Sequence, residues 1–456
     1  MIARVALLVV IAGLGIQLSA QQLMTLESFL AQVERQHPSL RSATFEPELA
    51  EAEIRSALGR FDPLMEVAYE YKDKAGNDKL NLFEGSLELP LDMMFGPKLK
   101  ASYTRGLGTN INPEQLTTLP GEGSLGVSLP LFQGIFTDAR RNGLRKAMLR
   151  PDLARAQYQL ERNTLLRSAA VRYWDWSEAI AALDVADSLL LLADTRADFV
   201  RRRVLAGEAA GIDTIEIAQE VQRRIGERLR ALRIVEQFAI DVSVFVWNPD
   251  GSAPNMSQVR PFPLPVDEGA AVRLEDEVAR ARALRPELQR IGVLQETSRL
   301  DSALASEFMR PYVELEAGLM SYDVSAVSKL DYKVGVRVHQ PLLFRQASAQ
   351  VQTAGIGVQR ADLTRSLLER VIDADVANAL VSVDRTRERL RAAVTEQDLA
   401  RRMVDAELRR FVGGESSLLS VNLRERFYAE ALLRVISARA DLARAFITLR
   451  WATGTI

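Results

Sequence analysis

The chain has 456 residues, of which 47% are hydrophobic and 26% charged, with a formal net charge of −2. This apolar content allows a sizeable buried core, while the balanced charge offers no basic stripe for tracking phosphates, so we expect no nucleic-acid partner. The absence of cysteine and the presence of only two histidines exclude thiolate metal sites, a disulfide framework and a cysteine nucleophile, so we expect no cofactor, no metal and no enzymatic activity.

Residues 1–20 have the pattern of a secretory signal peptide. Arg4 supplies the charged start, Val5 to Leu14 form an apolar run, and Leu18-Ser19-Ala20 make a small-residue cleavage site. The alternative is an uncleaved anchor, but the run is shorter than the ~20 residues that a spanning helix needs. No later segment is long and apolar enough to span as a helix, so the exported chain is predicted to be soluble or a β-barrel.

Proline motifs recur at a fixed distance along the chain. His37-Pro38-Ser39-Leu40 matches Arg285-Pro286-Glu287-Leu288, and Phe61-Asp62-Pro63-Leu64 matches Met309-Arg310-Pro311-Tyr312; 286 − 38 and 311 − 63 both equal 248. Helix-forming sequence precedes each pair of motifs, from Leu26 and from Leu274. We therefore predict two repeats, over residues 21–251 and 252–456.

Each repeat contains strands in which apolar and polar residues alternate. The alternation follows Pro63 and Pro311 and returns in closing strands that end at Pro130 and Pro341, and it predicts sheets with one apolar and one polar face. The first repeat also has an extra alternating stretch near residues 80–106. We predict an additional hairpin there, which either widens a barrel from four to six strands per chain or extends outside it.

Long proline-free helices follow the closing strands, and glycines divide them. Phe136 to Ala206 is some seventy residues, which predicts a rod of roughly 100 Å. Gly207 and Gly414 mark hairpin tips, because glycine is the usual helix-ending residue. The returning helix from Asp213 to Trp247 is half as long, and a helix over Val272–Glu307 is predicted to supply the rest.

This ordered, duplicated set of features resembles the outer membrane efflux protein (TolC) family. The resemblance implies a mostly α fold with a transmembrane β part: a homotrimeric β-barrel in outer-membrane lipid, continuous with a periplasmic α-helical barrel, with Asn248 to Pro265 in a belt at mid-height. It implies an exit duct of a tripartite efflux or type I secretion system, whose partners are a periplasmic adaptor (membrane fusion) protein and an inner-membrane transporter. A periplasmic coiled-coil scaffold without a pore is the alternative, but it leaves the two-faced strands unexplained.

The resemblance also implies a periplasmic gate beyond each tip glycine. Asp213 lies six residues after Gly207, with Glu216 one turn further, while Ser420 and Leu423 occupy the matching places after Gly414, where the family often has acidic residues. Three carboxylates in a trimer would then face the constriction. A capping pair formed by Asp213 and Glu216 at a helix N-terminus is the alternative.

Other tip residues have two interpretations each. Arg203 and Arg410, with Arg202 and Arg409 beside them, either pair with gate carboxylates or lie on a solvated face near a helix C-terminus. Phe411 is either an aromatic gate residue or a packing residue. The expected contacts of the adaptor protein with the tips are Gly207, Glu208, Gly414 and Glu415.

Overall fold

The computed structural model describes residues 22–74, 76–109, 111–265, 273–325 and 330–456, so the predicted signal peptide lies outside the described residues. The described chain is mostly helical. The helices are α1 (Leu26–Gln36), α2 (Pro38–Ala43), α3 (Glu46–Leu58), α4 (Ala139–Met148), α5 (Arg150–Leu205), α6 (Gly211–Ser243), α7 (Leu274–Leu284), α8 (Pro286–Glu307), α9 (Arg345–Val412) and α10 (Leu418–Ala452). The strands are β1 (Gln22–Met24), β2 (Leu64–Lys74), β3 (Asn77–Pro90), β4 (Lys98–Leu107), β5 (Glu122–Pro130), β6 (Val259–Pro261), β7 (Tyr312–Ser321) and β8 (Asp331–His339).

The chain divides into two compact units, each built from segments of both halves of the sequence. The sheet unit consists of the described residues of 41–162 and 275–376. The tip unit consists of the described residues of 22–40, 163–274 and 377–456. The long helices α5 and α9 each contribute residues to both units.

The sheet unit contains one antiparallel sheet in the order β2-β3-β4-β5-β7-β8. Strands β3 and β4 cover the extra alternating stretch of the sequence and lie between β2 and β5. The first half of the chain thus supplies four of these strands and the second half supplies two. Strand β5 pairs directly with β7, which joins the two halves in one sheet.

Prolines mark the ends of the strands that adjoin helices. Pro63 and Pro311 immediately precede β2 and β7, Pro130 is the last residue of β5, and Pro341 follows β8 by two residues. Since proline has no N–H for the ladder, these positions at strand ends are where it is tolerated.

Two helices predicted to be continuous are interrupted, so those predictions are wrong. The segment predicted as one helix over Val272–Glu307 is split at Arg285, an extended residue with ψ of 120°. Proline disfavours the helical conformation in the residue before it and suits the first helical turn, so Pro286 begins a new helix. The predicted rod from Phe136 is likewise broken at Leu149, just before Pro151 in the first turn of α5.

The main core of the tip unit forms where α1, α5, α6 and α10 meet. Phe29, Tyr173, Trp176 and Val242 are each at most 1% exposed, and the rings of Phe29 and Tyr173 lie 5.4 Å apart. Trp174 is also buried. This apolar cluster fixes the first helix and the segment before residue 265 against α5.

The hydroxyl of Tyr173 connects the short parallel pair β1 and β6 to α5. It donates to the carbonyl of Met24 at 2.7 Å and accepts from the N–H of Phe262 at 2.9 Å. Burial raises the pKa of Tyr173 to about 12. The neutral hydroxyl is therefore the form that the folded protein stabilises.

We expect Tyr173→Phe to lower the free energy of unfolding by about 1 kcal/mol at neutral pH, because it removes two partly buried hydrogen bonds to the backbone of Met24 and Phe262. The folded pKa lies above the ordinary value of about 10. The neutral Tyr173 hydroxyl therefore contributes its full stabilisation of the folded state below pH about 10, and this stabilisation declines as the pH rises towards about 12.

Thermal unfolding followed by circular dichroism from pH 8 to pH 12 tests this. Tyr428→Phe, a partly exposed tyrosine of α10, is the matched control. The wild type should lose stability more steeply above pH 10 than Tyr173→Phe, and parallel curves would contradict the assignment.

Candidate functional site

One face of the six-stranded sheet carries apolar side chains on every strand and leaves them exposed. Tyr332 is 81% exposed, and Val334, Val336 and Val338 are each more than 60% exposed. The strand register places these side chains beside their neighbours across the whole sheet. The other exposed members are Met65, Val67, Tyr69, Tyr71, Phe83, Leu87, Leu99, Leu125, Val127 and Leu319. An apolar surface of this extent indicates contact with an apolar environment.

The opposite face carries charged side chains that pair across the strands. Lys98 and Glu88 lie 3.1 Å apart, and Arg337 donates to Glu314 at 3.3 Å. Lys100 on β4 reaches Glu316 on β7 at 2.9 Å. Gly126 of the intervening strand pairs with Lys100 in the ladder and, having no side chain, leaves this path open. The polar face is thus held together by ion pairs that span several strands.

The sheet has two edges within one chain. Strands β2 and β8 each pair on one side only, and all but one residue of β8 are exposed. Long apolar edge strands offer unpaired backbone N–H and C=O groups to another strand. The edges are therefore places where a further chain can continue the sheet.

The two helical hairpins of the tip unit turn in the same way. Gly207 and Gly414 have positive φ angles of 78° and 77°. The N–H of Glu208 bonds to the carbonyl of Arg203, and that of Glu415 to Arg410, each at 2.9 Å. This is the Schellman arrangement, which requires the left-handed conformation that glycine adopts without strain.

The first turns after the tips differ in their chemistry. Asp213 and Ser420 are the third residues of α6 and α10 and stand at equivalent positions, since 420 − 213 and 414 − 207 both equal 207. Ala210 is the N-cap of α6 and makes no side-chain bond, whereas the Ser417 hydroxyl caps α10. The interpretation of Asp213 as a helix N-cap is therefore wrong, because α6 begins two residues earlier.

The half-buried carboxylate of Asp213 makes no hydrogen bond or ion pair with any described residue. Glu216 is held by the side-chain amide of Asn422 at 3.3 Å. Of these two acidic residues, only Glu216 is thus bound by another side chain of the described chain.

The tip arginines bond within their own hairpins. Arg203 lies 3.6 Å from Glu208, and Arg410 donates to the Glu415 carbonyl at 3.4 Å. Neither contacts Asp213 or Glu216 among the described residues. Phe411 packs against the cluster of Val200, Ile217 and Leu418, with Arg203 over its ring at 6.0 Å. Phe411 is thus a packing residue in this structure.

Buried polar contacts that the sequence did not reveal connect α10 to the other tip helices. Arg196 of α5 forms a two-pronged ion pair with Glu425 of α10, and both side chains are at most 10% exposed. The Ser416 hydroxyl donates to the buried Glu407. The partners in these contacts are far apart in the sequence or lie across a turn, so no local sequence pattern predicts the contacts.

Within the described ranges, no group of three or more histidine, aspartate or glutamate side chains is placed to hold a metal ion. None of the helices in the described part of the chain combines the length and the apolar character needed to cross a membrane.

No protein-family model and no curated protein sequence matches the chain. Its fold, however, is that of solved outer-membrane channels. It matches the outer-membrane channel OprN with a TM-score of 0.69 at 14% identity, covering 94% of this chain and 90% of that one. The match to VceC from Vibrio cholerae has a TM-score of 0.66 at 13% identity, covering 94% and 96%. The match to the open state of MtrE from Neisseria gonorrhoeae has a TM-score of 0.65 at 14% identity, covering 94% and 88%. The fold confirms the resemblance predicted from the sequence motifs.

We expect Glu425→Gln to destabilise the tip unit by about 3–5 kcal/mol, because it leaves the Arg196 guanidinium buried without its counter-charge. Asp198→Asn is the control, since it removes the exposed ion pair with Arg201 and should cost at most about 1 kcal/mol.

Thermal unfolding of the two purified variants measures how much stability each substitution removes. Hydrogen exchange across α10 locates the change. Equal stability of the two variants would show that the buried pair does not fasten α10.

Proposed function

We propose that this chain is one protomer of a homotrimeric outer-membrane channel that passes substrates out of the cell in an efflux or type I secretion system. The observation that carries the proposal is the six-stranded sheet with one exposed apolar face and one charged face. The similarity of the fold to outer-membrane channels supports the same conclusion.

The two faces fit a sheet whose apolar side contacts lipid and whose charged side lines a water-filled passage. In lipid every backbone N–H and C=O must be paired within protein, so the edges at β2 and β8 need partners. A second copy of the chain supplies them if its β2 pairs with β8. Three chains of six strands make eighteen, an even number in the range at which barrels enclose an aqueous channel.

A coiled-coil scaffold without a pore accounts for the long helices but not for this sheet. It leaves the apolar face of all six strands in water, which is unfavourable for so large a surface.

The hairpin tips are the proposed contact for a periplasmic adaptor protein, which would connect the channel to an inner-membrane transporter. Gly207, Glu208, Gly414 and Glu415 form the two turns. Beside them lie apolar side chains at equivalent positions that are 64–83% exposed: Leu205 and Ile212 at the first tip, Val412 and Leu419 at the second. Two similar apolar surfaces suit a partner that binds both tips in the same way.

The gate is proposed to use the carboxylates of the first tip. Asp213 has no partner among the described residues, while the equivalent Ser420 is uncharged. One such carboxylate per chain gives three in a trimer, and a ring of carboxylates attracts cations. Glu216 is a weaker candidate because Asn422 already binds it.

The lipid-facing role of the apolar face predicts the effect of Val336→Lys, a residue in the middle of β8. A lysine near the bilayer midplane of a barrel costs about 2–4 kcal/mol. We expect less assembled protein in the outer-membrane fraction and a lower unfolding temperature of the assembly.

Gly335→Lys is the matched control, because the neighbouring position lies on the polar face and an added Cβ there meets nothing within 4 Å. An equal loss of assembled protein from the outer-membrane fraction in Val336→Lys and Gly335→Lys would contradict the assignment of the two faces.

Replacement of the gate carboxylate, Asp213→Asn, should reduce the preference of the channel for cations, since it removes three charges from the trimer. Reversal potentials in planar bilayers under a salt gradient measure this preference. Asp405→Asn, the same change at an exposed position on α9, should leave it unaltered. An unchanged preference in Asp213→Asn would remove Asp213 from the gate.

A further inference from the structure

The segment of residues 111–121, here called the strap, precedes β5, and its first part, with Ile111 and Gln115, lies over the polar face of the sheet. We propose that the strap narrows the outer mouth of the channel and limits the size of the molecules that pass. This inference rests on the proposed function, in which the polar face lines the passage.

The position of Gly106 shows that the strap covers the polar face. Gly106 follows Lys100, Ser102 and Thr104 at alternate positions of β4, so it belongs to the polar face. A Cβ added there would lie 1.9 Å from the carbonyl oxygen of Gln115 and 2.6 Å from the end of the Ile111 side chain. The strap thus occupies the space where a side chain would otherwise stand.

The neighbouring strand shows the same cover. Leu82 pairs with Gly106 in the ladder and is only 7% exposed, although it lies on the face that carries the charges. Beside it, the Gln115 amide donates to the Glu84 carboxylate at 3.3 Å. The strap therefore shields this end of the polar face from solvent.

Hydrogen bonds at several points fix the strap in place. Thr117 bonds to Gly106 twice: its N–H donates to the Gly106 carbonyl at 2.9 Å, and its hydroxyl accepts from the Gly106 N–H at 3.1 Å. The last part of the strap passes the strand ends: the Thr118 hydroxyl donates to the carbonyl of Tyr322 at 2.9 Å, and Tyr103, which lies on the apolar face beside Phe83, donates its hydroxyl to the carbonyl of Pro120 at 2.9 Å. These hydrogen bonds hold the strap in a defined position at this end of the sheet.

The strap follows the carboxyl end of β4 and precedes β5, so it lies at the end of the sheet away from the long helices. The helices α3, α4, α8 and α9 all adjoin the opposite strand ends. In an outer-membrane channel of this fold, the strap end is the outer mouth. Three chains place three straps over the passage of a barrel that the extra strands β3 and β4 make wider.

A thiol placed beyond the strap tests this on the assembled channel in intact cells. Ser102→Cys puts a thiol on the polar face, at an exposed position in the middle of β4, and the chain has no other cysteine. The rate of labelling from outside is measured with a small maleimide and with a bulky polyethylene glycol maleimide. With the native strap, we expect the small reagent to label and the bulky one to label poorly.

Gly106→Ala displaces the strap, because the added methyl group takes the place of the Gln115 carbonyl. It should raise the labelling rate of the bulky reagent about tenfold, since passage depends on the free diameter. Gly335→Ala is the matched control on the same face, where a Cβ meets nothing within 4 Å. If Gly106→Ala does not assemble, Thr117→Val removes the hydroxyl that binds Gly106 without adding bulk.

The inference would be overturned if the bulky reagent labelled the thiol introduced by Ser102→Cys at the same rate with the native strap and with the displaced strap. If the thiol introduced by Ser102→Cys excludes even the small reagent, the proposed function is contradicted instead, because the polar face would then line no passage open to the outside. Labelling by the small reagent distinguishes the two failures: it is retained if only the inference about the strap is wrong, and it is lost if the proposed function is wrong.

Discussion

The separation of apolar and charged side chains onto opposite faces of one six-stranded sheet is the constraint on which the rest of the structure depends. The charged face carries Lys100 and Arg337, while Val334 and Val336 stand exposed on the other face. Water solvates charged side chains well and apolar ones poorly, which is why the proposed function places the sheet between lipid and water. Lipid would leave the unpaired edges of β2 and β8 without hydrogen-bond partners, so the proposed location in a membrane and the proposed assembly of several chains depend on each other. The ion pairs across β4, β5 and β7 and the part of the strap over Gly106 lie on the charged face.

The tip unit follows a different constraint, which is the reversal of two long helices. Gly207 and Gly414 make the same turn with the same hydrogen bonds, yet the surrounding side chains differ. The first tip contributes Asp213, whereas the second contributes Ser420 and the buried Glu407. The Arg196–Glu425 pair then holds α10 against α5. Two hairpins of equal geometry thus carry unequal charge, and the proposed role of Asp213 in the gate rests on this difference.

Local sequence patterns predicted much of this fold, and their limits have physical causes. Strict alternation identified β2, β7 and β8, and prolines marked strand ends, because both signals depend only on neighbouring residues. Gly207 and Gly414 were found for the same reason. The start of α6 was misplaced, since Ala210 has no capping side chain to mark it. The break at Arg285 was missed although Pro286 indicates it. Contacts such as Arg196 with Glu425 and Gln115 with Glu84 depend on tertiary packing, and the strap has no periodicity, so neither could be read from the sequence.

The most direct test of the account is the mass of the native particle, measured without denaturation after detergent extraction of the outer-membrane fraction. The account predicts an assembly of three chains, recovered from that fraction only with detergent, because the apolar face of the sheet lies in lipid and β2 pairs with β8 of the next chain. A monomer or dimer released without detergent would contradict it, since the sheet would then expose its apolar face to water and could not enclose a passage.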